Sequence, residues 1–290
     1  ISTGVKIAAI SINDIKTNHL DILGSRIGSK NDRNSFLKNK IDIFEEKLSV
    51  LQKLSCSHEA LLLLRSCVNQ DLRHLLRSLE SDDIREQWNR ADQLLIKTIK
   101  ILRGDTFITD TNTFITDTNT LNINNTSSKR IEETIIHLPV RYGGLGLFSH
   151  LDTLDAIREC SVNVSKAYLN GQDLSNIGKS SERLDIHYKN IHEELIDTLP
   201  EDSKTEFLDL NNKISNAWLN SIPFSKQLHL TNKEISCYLK SKTLYNGTSH
   251  CLKCGNINSI NHPETCNSAS NFRVARHELL KKSLAKTLIK

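Results

Sequence analysis

From Phe36 to Leu54 the apolar residues Ile41, Phe44, Leu48, Leu51 and Leu54 recur every three or four positions, which lines one face of a helix. The spacing returns in Leu61, Leu64, Cys67, Val68, Leu72, Leu75 and Leu79, behind Ser57 as a predicted N-cap. Leu61 to Leu64 are consecutive leucines and predict burial on more than one side of that helix. A third pattern opens at Ser81-Asp82-Asp83 and runs through Ile84, Trp88, Leu95, Ile99 and Leu102 to a stop at Gly104. Short connections between the three predict an antiparallel helical bundle over residues 31–104.

Ahead of the bundle, residues 4–11 and 20–27 are short β-leaning runs, the second punctuated by Gly24 and Gly28. Two strands alone are marginal in water, so residues 1–30 read as the edge of a larger sheet. Behind the bundle, Thr-Phe-Ile-Thr-Asp-Thr-Asn occurs twice in tandem over 106–119 and runs into Asn/Ser/Thr-rich sequence up to Ser128. Two copies are too few for a solenoid, and 105–130 reads as an expanded, solvent-exposed insertion. An extended segment, His137 to Phe148, then enters a glycine turn. Helical patterns follow from about 151 to 168, 182 to 198 and 203 to 220, with Pro200 and Pro223 as breaks. Residues 131–236 thus form a helical connection region, and a last helix is predicted at 272–289. The predicted fold is mainly α, with a short β edge and a small C-terminal module at 237–290.

That module carries the chemistry. Cys251, Cys254, His262 and Cys266 are spaced C-x2-C-x7-H-x3-C. Two thiolates from a tight turn, with a His and a third Cys from a short loop, complete a tetrahedral Cys3His shell for structural Zn²⁺. Cys56, Cys67, Cys160 and Cys237 lie scattered, which suits free thiols in a reducing, intracellular compartment, the nucleus included, better than a disulfide framework. The net charge is only +4, but residues 237–290 hold nine Lys/Arg against Glu264 and Glu278, leaving the first 236 residues at −3. Phe272, Ala275, Leu279, Leu284 and Leu288 form the apolar side of the last helix, with Arg273, Arg276, Lys281, Lys282, Lys286 and Lys290 elsewhere on it. A basic pole beside a metal knuckle points to nucleic acid as the partner, and no apolar run is long enough for a membrane span.

Other constellations read as structural. Asp82-Asp83 opens a helix, where carboxylates cap free amides. Gly143-Gly144-Leu-Gly146 lacks the spacings of a phosphate cradle and reads as a tight turn. His187 and His192 fall about 140° apart on a helix, too far round to share a metal. A chain with no Met that begins at Ile1 reads as the C-terminal part of something longer, a trace that precursor processing would also leave.

Three stretches resemble one family: Leu23-Gly24-Ser-Arg-Ile-Gly28-Ser; Leu61 to Cys67 with Leu72-Arg73-His74-Leu-Leu-Arg77; and Leu138-Pro-Val-Arg141-Tyr-Gly143-Gly-Leu-Gly146-Leu. They are similar to reverse transcriptases of non-LTR-type mobile elements, as is the Cys-Cys-His-Cys knuckle followed by Ala275-Arg276-His277. The resemblance implies that residues 1–30 end a palm, 31–104 form a thumb, and the tail grips nucleic acid. Template–primer contacts would then come from Arg65, Arg73 and Arg77, and further contacts from Arg273, Arg276, His277, Lys281, Lys282 and Lys286. The catalytic carboxylates and their Mg²⁺ would belong to a polymerase region N-terminal to Ile1, so this chain alone is expected not to polymerise. The alternatives are a non-enzymatic zinc-dependent helical adapter, and a helical structural protein whose Cys/His cluster is incidental.

Overall fold

The computed structural model describes residues 19–79, 84–105, 123–172, 180–212, 216–220, 222 and 229–245. They are mainly helical, with one two-stranded antiparallel sheet. β1 (Leu20–Ile22) pairs with β2 (Ser25–Ile27), Leu20 opposite Ile27. The predicted single run at 20–27 is therefore a hairpin. Leu23 and Gly24 both take positive φ, 50° and 76°, as the central residues of a type I′ turn must. The predicted run at 4–11 lies outside the described residues.

α1 (Lys30–Gln52) starts with a capping box in which Ser29 Oγ accepts from the Asp32 amide and the Asp32 carboxylate accepts from the Ser29 amide. It buries Leu37, Ile41, Phe44, Leu48 and Leu51, the face expected from their spacing. α2 (Ser57–Ser66) ends earlier than the predicted helix through Leu79. A 3₁₀ turn (Val68–Gln70) and the short α3 (Leu75–Ser78) take its place. Cys67 leaves helical geometry at φ −116°, ψ −72°, and the fully buried Asn69 follows it. The interruption sends Leu72, Leu75, Leu76 and Leu79 into the core while Arg73 and Arg77 stay exposed.

α4 (Arg85–Leu102) packs along α1, burying Trp88, Ala91, Leu95 and Ile99. Arg90 bridges the two helices, donating to Asp42 at 2.7 Å and Glu45 at 2.5 Å. α5 (Ile123–His137) was not anticipated in the Asn/Ser/Thr-rich sequence. Its C-terminal half buries Ile135 and Ile136, which anchors a helix that polar composition alone disfavours. α6 (His150–Leu169) and α7 (Ser180–Thr198) follow the predicted patterns. The predicted helix at 203–220 is split: α8 (Glu201–Asp209) stops before Asn211 and Asn212, and Ala217–Asn220 is a separate 3₁₀ turn. α9 (Asn232–Lys242) closes the described chain. Ile135, Leu145, Leu147, Leu154 and Ile157 join the same core as Leu37, Phe44 and Trp88, so the bundle and the connection region share one hydrophobic interior. Among the described residues no helix is long and apolar enough to cross a membrane.

Two buried cations join distant elements. The fully buried Arg103, one residue past α4, pairs with Asp105 and with Glu132 of α5. It also donates to Thr243 Oγ1 at 2.8 Å and stacks 3.8 Å from the Tyr245 ring centroid. Lys242, counted in the basic pole from sequence, is buried instead, with Nζ donating to the Leu210 carbonyl at 3.2 Å. Burial pushes its pKa down to about 8. Below pH 8 folded and unfolded chains both hold this proton; between pH 8 and the ordinary Lys value of about 10.4 the unfolded chain holds more of it. Stability is therefore expected to rise with pH across that window. A urea midpoint series from pH 7 to pH 10 should show the rise in the parent and lose it in Lys242→Met.

Candidate nucleic-acid interface

The three stretches singled out from the sequence are neighbours in series: the hairpin turn lies against the Arg65–Arg77 stretch, which in turn meets the Leu138–Phe148 segment. The β-hairpin turn approaches α3: a Cβ placed on Gly24 would lie 3.5 Å from His74 Nε2. His74 is held in turn by Nδ1, 3.1 Å from the Asp71 carbonyl, a contact in which Nδ1 must carry the proton. On the other side α3 packs on α6, where Arg158 donates to the Arg77 carbonyl at 2.8 Å.

The segment from Leu138 to Phe148 forms the floor. Its amides turn back over the C-terminus of α5: Leu145 N donates to the Ile135 carbonyl at 3.1 Å and Gly146 N to the Leu138 carbonyl at 2.9 Å. These bonds satisfy carbonyls that a helix end otherwise leaves open. Gly143 takes φ +88°, and Gly144 lies so close to Leu138 that a Cβ would meet its carbonyl oxygen at 1.9 Å. The Gly-Gly-Leu-Gly segment is thus a tight turn, as its sequence predicts, and it positions Arg141 and Phe148.

A groove of about 760 Å³ opens where the turn faces α2, the segment between α2 and α3, and α7. Arg65, Arg73 and Arg141 line it, with Tyr142 and Phe148 between them and Glu182 and Asp185 opposite. The Arg73 guanidinium lies 5.0 Å from the Phe148 ring centroid and donates to Gln70 Oε1 at 3.2 Å, leaving further donors directed outward from an exposed side chain. Arg141 pairs with Asp185, whose same oxygen accepts from the Tyr142 hydroxyl at 3.0 Å. Partial burial and that hydrogen bond to Asp185 raise the Tyr142 pKa. An aromatic-backed groove with an arginine fork can hold a phosphate and stack a base.

Arg65 is placed differently from the phosphate contact expected of it. Its Nε donates to the Leu145 carbonyl at 2.7 Å, and its Nη1 donates to the Leu219 carbonyl and to Asn220 Oδ1 at 3.3 Å. Burial pulls its pKa down, since desolvation penalises the charge. Arg65 clamps the turn to the 3₁₀ segment near residue 219. Arg77 is exposed at the end of α3. Cys251, Cys254, His262 and Cys266, expected to hold zinc, and the tail residues Arg273, Arg276, His277, Lys281, Lys282 and Lys286, lie outside the described residues. So does the Asp82-Asp83 pair.

A second cavity, about 530 Å³, opens between α4, α5, α6 and α7 beside Asp92, Glu133, His137 and His187. Its back wall is the Asp92 carboxylate, buried against the start of α6. Ser149 Oγ and the Leu151 amide donate to one oxygen at 2.9 and 3.0 Å; the His150 amide and His150 Nδ1 donate to the other, both at 2.8 Å. His150 is fully buried and stacks on Trp88 at 5.5 Å. His187 and His192 contact different rings: His187 lies beside Tyr188, whereas His192 touches Tyr142 and Phe207.

Arg141 and Phe148 were legible as part of a motif but not as groove residues, because only the fold brings them opposite Arg73. The signal for Asp92 was a carboxylate inside the apolar series Trp88, Leu95 and Ile99. Scanned against protein-family models, curated proteins and solved structures, the chain returns no match.

Proposed function

We propose that the chain is the nucleic-acid-holding, thumb-to-knuckle region of a reverse transcriptase-like protein of the non-LTR type, one that does not polymerise by itself. The observation that carries this reading is the groove in which Arg65 and Arg73 meet Arg141, Tyr142 and Phe148, with the Gly24 turn packed outside it against His74. In this proposal Arg73 and Arg77 hold the template–primer backbone, and Arg141 and Phe148 contribute to the same groove. Cys251, Cys254, His262 and Cys266 hold Zn²⁺, and Arg273, Arg276, His277, Lys281, Lys282 and Lys286 add the tail grip.

The test is binding of a labelled primer–template by fluorescence anisotropy across a salt series. Affinity is expected to fall steeply with salt, and each phosphate contact removed should flatten the log–log slope by about one. Arg73→Ala with Arg77→Ala should weaken binding and flatten the slope. Arg65→Ala should instead lower the urea midpoint, costing about 1.5–3 kcal/mol for its lost charged hydrogen bonds, and leave the slope unchanged. Binding that ignores ionic strength, or none at all, would reject the proposal in favour of a zinc-dependent adapter.

A further inference from the structure

Cys56, Glu59 and His229 meet on the surface where α2 begins and the chain enters α9. One ligand atom from each lies within 4.8 Å of the others. His229 Nε2 is 3.5 Å from Cys56 Sγ and 3.3 Å from Glu59 Oε1, with Nδ1 further from the sulfur at 3.9 Å. A tetrahedral Zn²⁺ with Zn–S of about 2.3 Å and Zn–N and Zn–O of about 2.0–2.1 Å separates its ligands by roughly 3.5 Å (S to N) and 3.3 Å (N to O). The two measured edges match that tetrahedron. A single Nε2–H cannot donate well to both neighbours, whereas one cation between them satisfies both.

The donors are held from behind. Leu230 N donates to Nδ1 of the buried His58 at 3.3 Å. Asn232 fixes the other side, accepting from Ser57 N at 2.8 Å and donating to the Ser55 carbonyl at 2.9 Å. His229 therefore sits on backbone pinned on both flanks to the α2 N-terminus, and Cys56 and Glu59 sit on that same terminus as its cap and first turn. Such second contacts are what keep metal ligands in place.

We propose that Cys56, Glu59 and His229 bind a borderline-soft divalent metal ion, Zn²⁺ first, separately from the Cys251–Cys266 ligands. A thiolate and an imidazole select against Mg²⁺ and Ca²⁺, which take oxygen ligands. Binding converts the Cys56 thiol to thiolate and releases its proton to solvent. Three protein ligands leave a fourth position for water. The ion links α2 to α9 across 173 residues of sequence and fixes the start of the helix that leads to the C-terminal module.

The test uses the full chain carrying Cys251→Ser and Cys254→Ser, so that the tail ligands do not contribute. Alkylation of each thiol is followed by mass spectrometry with and without Zn²⁺. Cys67, exposed at the other end of α2, is the internal control. With free Zn²⁺ about tenfold above its dissociation constant, Cys56 should react about tenfold more slowly while Cys67 is unaffected, and Mg²⁺ should protect neither. His229→Ala and Glu59→Gln should each weaken that protection by about tenfold or more, with helicity by circular dichroism retained. Equal Cys56 reactivity with and without Zn²⁺ overturns the site, and this arm needs no substitution within it. Protection that survives His229→Ala overturns it as well.

Discussion

Asp92→Ala is expected to destabilise the chain by about 3–5 kcal/mol, a large part of the 5–15 kcal/mol that folds a typical domain. The carboxylate is 5% exposed and accepts four hydrogen bonds, two from backbone amides at the start of α6 and two from the Ser149 and His150 side chains. Removing it leaves four donors without their acceptor, and withdraws a negative charge from the positive end of a helix dipole. Urea denaturation followed by tryptophan fluorescence is suited to the measurement, because Trp88 stacks on His150. A loss below about 1 kcal/mol would mean the network is not the anchor between α4 and α6. The same carboxylate gives a pH signature. Burial acts to raise its pKa, but the hydrogen bond from His150, neighbouring imidazole charge and the Leu151 amide outweigh it, and the net direction is down. A depressed folded pKa contributes stability that is present above the unfolded value of about 3.9 and lost as pH falls through the folded value. Asp92→Asn should flatten that acid limb.

Gly144→Ala is the second large effect, expected at about 3 kcal/mol or more. The clash is with backbone: the added methyl would lie 1.9 Å from the Leu138 carbonyl oxygen and 2.4 Å from its carbon. No rotamer change relieves it. The turn must lift, breaking the Leu145 and Gly146 amide bonds that close α5 and drawing Leu145 and Leu147 from the core. Gly143→Ala meets the Phe207 ring at 2.5 Å and a φ of +88°. A ring can shift, so its expected loss is smaller. Thermal melts of the pair, with Gly171→Ala as a positive-φ control in open space, would separate close approach from backbone strain. Equal losses at 144 and 171 would refute the packing argument.

What could be read from the chain beforehand follows from what is local. The faces of α1 and α4 were legible because Ile41, Phe44, Leu48, Trp88, Leu95 and Ile99 carry their burial in their own spacing. The turn at Gly143–Gly146 was legible as a turn, but the intimacy of Gly144 with Leu138 was not, since five residues of intervening chain hide it. α5 escaped notice because its anchor, Ile135 and Ile136, lies at the end of a polar segment. For Arg65 the resemblance implied a template–primer contact. Only the fold shows two backbone carbonyls taking its donors instead. The same holds for Lys242, which is buried: a formula charge says nothing about whether it faces water. Nothing local could pair Cys56 with His229.

Arg103 bears on how the gene can change. One guanidinium grips Asp105, where the chain leaves the bundle, and Glu132, after it has come back. The tandem heptads at 106–119 fall between these two grips. Both ends of that interval are thus held by one side chain, and the span that any number of heptads must bridge is set by Arg103.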